Sequence, residues 1–165
     1  MNIICSGGIF LSKSTKKFLL LHRSEGKTAG TWGIVGGKHE PSDQTPYEAL
    51  CREVQEEIGF LPDIEKTIPL EQYESKDGGF YYHTYVLLVK DEFMPKLNHE
   101  HSGYAWVDKD CWPKPLHSGL RTTLSSKTNK AKIDTIFDVL GKMSSAIKLK
   151  LMLILSSSDK FSSTP

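Results

Sequence analysis

The sequence predicts a mixed α/β fold. Short apolar segments with strand-like composition alternate with glycine-rich turns, and one strongly amphipathic helix sits among them. Residues 3–10 and 17–23 suit two early strands, and residues 64–74 and 80–89 suit two later ones. Between the pairs, residues 45–59 have helical spacing with a start and a stop signal. The order strand, strand, helix, strands, helix carries no repeat at solenoid spacing, so one compact domain is expected.

Each element has a local reason. Residues 12–15 are polar and can turn the first strand back on itself as a hairpin. Glycines at 26, 30, 33, 36 and 37 surround Trp32, Ile34 and Val35, which suits an irregular loop feeding a short strand. Thr45 can cap a helix, Pro46 suits its first turn, Glu48 completes a Thr-x-x-Glu capping box, and Gly59 supplies the stop. Asp77, Gly78 and Gly79 provide the turn of the second hairpin, whose return strand is rich in Tyr and Val. Residues 104–107 form a short aromatic strand. Apolar residues at 133, 136, 137 and 140 fall on one helix face.

Composition narrows the class. An apolar share of 38% in 165 residues can bury a continuous core without disulfides. Lys and Arg total 21 against 20 for Asp and Glu, so no molecule-wide field favours a duplex nucleic acid. Cys5, Cys51 and Cys111 are widely spaced and form no C-x-x-C pair, as expected of reduced thiols in a cytoplasmic protein. The N-terminus has no secretory-signal pattern. The apolar stretch 146–155 is about half of the ~20 residues needed to span a bilayer and contains Lys148 and Lys150, so no membrane association is expected. Residues 1–145 are assigned to the domain, and 146–165 to a C-terminal tail whose Ser-rich end after Ser156 is expected to be disordered.

The chemistry is concentrated on the helix. A step of about 100° per residue places Glu53, Glu56 and Glu57 within an arc of roughly 100°. Leu50, Val54 and Ile58 occupy the adjacent arc and can pack on a sheet, which fixes the direction of the carboxylates. Three neighbouring negative charges raise one another's pKa unless a cation lies between them, and hard Mg²⁺ or Mn²⁺ fits that need. An isolated E-x-x-E-E reads more simply as a solvated acidic face. Here the surroundings argue otherwise: Gly36 and Gly37 let the backbone pass close to the cluster, and Arg52 can hold the preceding loop through Asp43.

Residues 36–60 resemble the signature of the Nudix hydrolases, G-x5-E-x7-R-E-U-x-E-E-x-G-U with U apolar. The second half matches from Arg52 to Phe60. The first half departs: counting from Gly37, Asp43 stands where Glu is expected, and eight residues instead of seven separate it from Arg52. Val35 also replaces the proline usual before the two glycines. These departures put the Arg-to-loop pairing and the loop's rigidity in question.

The resemblance implies an α/β/α sandwich around a mixed β-sheet and metal-assisted attack of water on a pyrophosphate. It implies Glu53, Glu56 and Glu57 as metal ligands, with the Gly37 carbonyl a further one, and Arg52 as an orienting residue. The base is left between Glu53 and Glu100. Glu100 precedes the Trp106 strand as the family's acidic loop does, and a solvated loop carboxylate is the competing reading. Arg23 matches a basic position near the phosphates in relatives, and an ordinary surface ion pair competes with that role. His99 and His101 form an H-x-H pair without further zinc ligands. Tyr81, Tyr82 and Tyr85 could stack on a base, but strand alternation sends them to different faces. Trp106 and Trp112 are read as packing residues.

The leading functional expectation is hydrolysis of a nucleoside diphosphate derivative of the ADP-ribose, dinucleotide cofactor or dinucleoside polyphosphate type. The alternatives are a nucleoside triphosphate or RNA 5′-end pyrophosphohydrolase, and a non-catalytic nucleotide-binding module. An isoprenoid diphosphate isomerase has no specific support. The expected partner is a small nucleotide, and a homodimer is left open.

Overall fold

The computed structural model describes residues 2–158. Its strands are β1 (Ile3–Ser12), β2 (Lys17–Arg23), β3 (Trp32–Gly33), β4 (Val35–Lys38), β5 (Ile64–Glu74), β6 (Phe80–Val89) and β7 (His101–Asp108). Its helices are α1 (Pro46–Ile58), α2 (Ser118–Ser125) and α3 (Lys127–Ser158). One compact unit ends at Asn129, and a second, beginning at Lys130, contains most of α3.

The strands form one mixed sheet in the order β3-β2-β1-β6-β5, with β4 added to β1 and β7 to β2. β1 lies parallel to β6, from Ile3 opposite Phe80 to Ser12 opposite Val89. The remaining pairs are antiparallel. The expected mixed sheet is therefore present, and both hairpins fall where the turns predict them.

The start and stop of α1 are local. The Thr45 hydroxyl accepts from the Glu48 N–H at 3.1 Å, and Glu48 in return accepts from the Gln44 N–H at 2.7 Å. This is a capping box displaced by one residue on its return arm. At the other end Gly59 takes a left-handed φ of 82°, which glycine adopts without penalty. Leu50, Val54 and Ile58 are fully buried and pack with Phe10, Leu19, Leu21, Val35, Leu87 and Val89. That packing fixes the axis of α1 against the sheet.

Two elements differ from expectation. α2 lies in a stretch rich in Ser, Thr and Gly, weak helix formers, and it starts with His117, whose Nδ1 accepts from the Gly119 N–H at 3.2 Å. α3 runs well beyond residues 131–140 and takes in the apolar stretch 146–155. Among the described residues no helix is long and apolar enough to cross a membrane. Of the Ser-rich tail, residues 157 and 158 still belong to α3, and the remainder lies outside the described residues.

The tryptophans behave as packing residues. Trp106 donates from Nε1 to the Phe93 carbonyl at 3.0 Å, with the two rings edge to face, and Trp112 rests on Phe18. Because Leu50 is fully enclosed between α1 and the sheet, Leu50→Ala should lower unfolding free energy by about 2–5 kcal/mol. A urea titration followed by tryptophan fluorescence would measure it, and a loss below ~1 kcal/mol would contradict this account of how α1 is anchored.

Candidate functional site

The carboxylates of α1 leave the helix toward the β4 backbone. Glu57 is only 2% exposed, and its Oε2 accepts from the Gly36 N–H at 3.2 Å. Gly36 has φ +147°, and a Cβ there would overlap the Ser6 carbonyl oxygen and lie 2.6 Å from the Gly7 Cα. A Cβ on Gly37 would overlap the Glu53 carboxylate. The two glycines are therefore the condition for placing β4 between β1 and two carboxylates.

Arg52 binds the loop to the helix. Its Nε and Nη2 donate to the two carboxylate oxygens of Asp43 at 3.3 and 3.2 Å, and Nη2 also donates to the Lys38 carbonyl at 2.8 Å. Its Nη1 donates to Glu53 at 3.0 Å and to Glu56 at 3.1 Å. Asp43 thus receives a two-pronged guanidinium contact despite its shorter side chain and the extra residue before Arg52. The Arg52 bonds, joined by the Glu40 N–H, hold its carboxyl below the usual carboxylate range. The pairing put in question by the sequence is intact.

Charge is poorly compensated deeper in the cluster. Burial pushes the Glu57 carboxyl up to about 8; the Gly36 N–H opposes that rise, while the charges of Glu53 and Glu100 add to it. Glu53 is also raised, by burial first, with Arg52 opposing and Glu56 and Glu100 adding. The charge of Glu100, which lies just before β7, thus acts on both groups. Glu56 is different: its side chain is 54% exposed and turned to Arg52.

Arg23, at the end of β2, lies opposite His101 on β7, just past a register shift after His22. Its positive charge lowers the Glu57 pKa and disfavours protonation of His101 and His117. His101 is 5% exposed, with its pKa lowered to about 4 by burial and then by Arg23. Its Nε2 and the Arg23 Nε are buried without a hydrogen-bond partner. His99 is instead largely exposed.

Beside this cluster opens a cavity of about 460 Å³. Arg23 and Gly36 lie on its wall, as do Tyr82, Phe80, Glu71 and His117. The tyrosines divide as strand alternation requires. Tyr82 faces the cavity, with its hydroxyl pKa raised by burial; Tyr81 donates to Glu74 at 2.9 Å; and Tyr85 packs edge-on to Tyr47. Glu71 and His117 were missed in the sequence. Nothing local marks them, because they meet only through β5 and the N-terminus of α2.

An oxygen-only set of Glu53, Glu57 and Glu100 under mutual repulsion is chemically suited to a hard divalent cation. Among the described residues, no three His, Cys, Asp or Glu side chains already converge on one point as a closed ligand set. Glu56 in particular would have to leave Arg52 to join one.

The NUDIX domain family model matches residues 6–125. A CTP pyrophosphohydrolase of Escherichia coli (strain K12) is 33% identical over 95 residues, covering 57% of this chain and 68% of that protein. A putative 8-oxo-dGTP diphosphatase of Mycobacterium tuberculosis (strain ATCC 25618 / H37Rv) is 29% identical over 111 residues, covering 64% of this chain and 51% of that protein. The crystal structure of a MutT protein from Methanosarcina mazei Go1 superposes with a TM-score of 0.62 at 25% identity, covering 79% of this chain and 95% of that one. The fold is that of the Nudix hydrolases. This chain belongs to the Nudix family.

The buried Glu57 makes a pH signature. Unfolding returns its carboxyl from about 8 to the ordinary value near 4.5, so between those values the folded chain holds a proton that the unfolded chain has released. Its stabilising contribution is complete below about pH 4.5 and is lost as pH rises through 8. In EDTA, the denaturation midpoint should therefore fall across this window, and Glu57→Gln should flatten the fall. An equally steep profile in the variant would assign the dependence to other groups.

Proposed function

We propose that this protein hydrolyses the pyrophosphate linkage of a nucleoside diphosphate derivative with the help of Mg²⁺ or Mn²⁺. The observation that carries the reading is the cluster of Glu53, Glu57 and Glu100 beside Gly36 and Gly37, opening onto a cavity large enough for a nucleoside. Glu53, Glu56 and Glu57 would hold the metal, with the Gly37 carbonyl as a further oxygen. Once bound, the metal would neutralise pyrophosphate oxygens and acidify the attacking water.

The remaining roles belong to the protein's own groups. Arg52 orients Glu53 and Glu56 and ties the loop at Asp43. Arg23, on the cavity wall with an unpartnered Nε, would bind a phosphate oxygen through its planar fork. Glu100 or Glu53 would take the proton from water. Glu53 is bonded to Arg52 and would also hold the metal, which favours Glu100, whose charge acts on both Glu53 and Glu57.

The names of the sequence relatives favour a nucleoside triphosphate over an ADP-ribose or dinucleotide conjugate as the derivative cleaved. The test is a metal-supplemented screen of triphosphates and conjugates read by mass spectrometry. Glu57→Gln should lower kcat by about 10²–10³-fold and weaken Mn²⁺ binding. Glu100→Gln should lower kcat by about 10²-fold or more with Mn²⁺ affinity kept. Undiminished turnover in both Glu56→Gln and Glu57→Gln would sink the metal-site assignment, and tight nucleotide binding without turnover by the intact protein would make it a binding module.

A further inference from the structure

The cavity wall away from the carboxylate cluster contains a second acid. Glu71 comes from β5, next to the register shift between Pro69 and Glu71. Its Oε2 accepts from the Thr123 hydroxyl at 2.6 Å. Thr123 is itself buried on α2, and its carbonyl accepts from the Asn129 side-chain amide, also buried, at 3.0 Å. A chain of hydrogen bonds therefore fixes a carboxylate at the cavity, with Phe80, Tyr82 and Leu120 supplying apolar and aromatic surface nearby. This acid lies outside the metal cluster, and the proposed hydrolysis has no use for it.

We infer that Glu71 is the base-reading residue of this cavity and selects a guanine-type base, by accepting from its N1–H and 2-amino group; this rests on the nucleotide reading of the site. An ionised carboxylate only accepts, and its two oxygens together can take two parallel donors, Oε2 having a lone pair left beside the Thr123 bond. Guanine offers two adjacent donors, N1–H and the 2-amino group. Adenine and cytosine each set one amino group beside a ring nitrogen whose lone pair would face the carboxylate. Uracil sets its single N–H between two carbonyls. Those edges leave one carboxylate oxygen unpaired or repelled, which is costly in a covered site. The aromatic rings accept any base face, so the discrimination falls to Glu71.

The test uses the full chain and separates recognition from turnover. Binding of GMP and IMP is measured calorimetrically in EDTA, and hydrolysis of GTP and ITP is measured with Mg²⁺; inosine differs from guanosine only by lacking the 2-amino group. GMP should bind about 10- to 100-fold more tightly than IMP, and kcat/KM should favour GTP over ITP by a similar factor. In Glu71→Gln the ratio should collapse toward one, while Thr123→Ser, which keeps the hydroxyl, should preserve it. A role of Glu71 confined to holding α2 against β5 would shift the melting temperature and leave the ratio intact. Equal affinity for GMP and IMP in the unaltered protein, binding of neither, or an unchanged ratio in Glu71→Gln overturns the inference. A GMP preference without hydrolysis of any nucleotide would uphold it while removing the hydrolase reading.

Discussion

The burial of Glu57 is the constraint on which the rest of the site depends. A carboxylate that is 2% exposed and receives a backbone hydrogen bond from Gly36 is expensive to keep ionised. The hydrophobic face of α1 holds it there, since Leu50, Val54 and Ile58 can reach the sheet only when Glu53 and Glu57 are turned toward β4. Gly36 and Gly37 then have to lack side chains, because β1 and the Glu53 carboxylate occupy the room. Packing energy thus holds these carboxylates together against their mutual repulsion, with the charges of Arg52 and Arg23 opposing it.

Arg52 solves a second problem with one side chain. Its guanidinium joins the Lys38 carbonyl, Asp43, Glu53 and Glu56, so the loop before α1 and the charge on α1 are controlled together. A lysine could not span these acceptors with the same fixed geometry. The extra residue between Asp43 and Arg52 leaves this contact standing, since Asp43 still reaches Nε and Nη2 of the guanidinium.

The sequence made the α1 half of the site readable because its determinants are local. Thr45, Gly59 and the spacing of the three glutamates specify helix limits and faces without reference to distant residues. The two hairpins were readable for the same reason, through alternation and the turns at residues 12–15 and 77–79, whereas the parallel pairing of β1 with β6 and the docking of β7 on β2 join distant segments and carry no local signal. The cavity was not. Glu71, Tyr82, His117 and Thr123 come from β5, β6 and the region of α2, and only tertiary packing brings them together. α2 itself escaped notice because weak helix formers and a histidine cap give no familiar start signal. Tyr82 shows the intermediate case: alternation said that the three tyrosines would divide between faces, but not which of them would line the cavity.

The parallel pairing of β1 with β6 bears on how the chain reaches this structure. In chain order β1 is separated from its parallel neighbour by β2, β3, β4, α1 and β5. Until that neighbour docks, one edge of a strand whose last seven residues are buried in the finished fold has no β6 to pair with, and closing so long a loop is entropically slow. The early hairpin with β2 and the antiparallel contact with β4 can shield part of β1 in the interval, but its β6-facing edge stays available to other chains. The sheet therefore cannot be completed on that side until the second hairpin has been made.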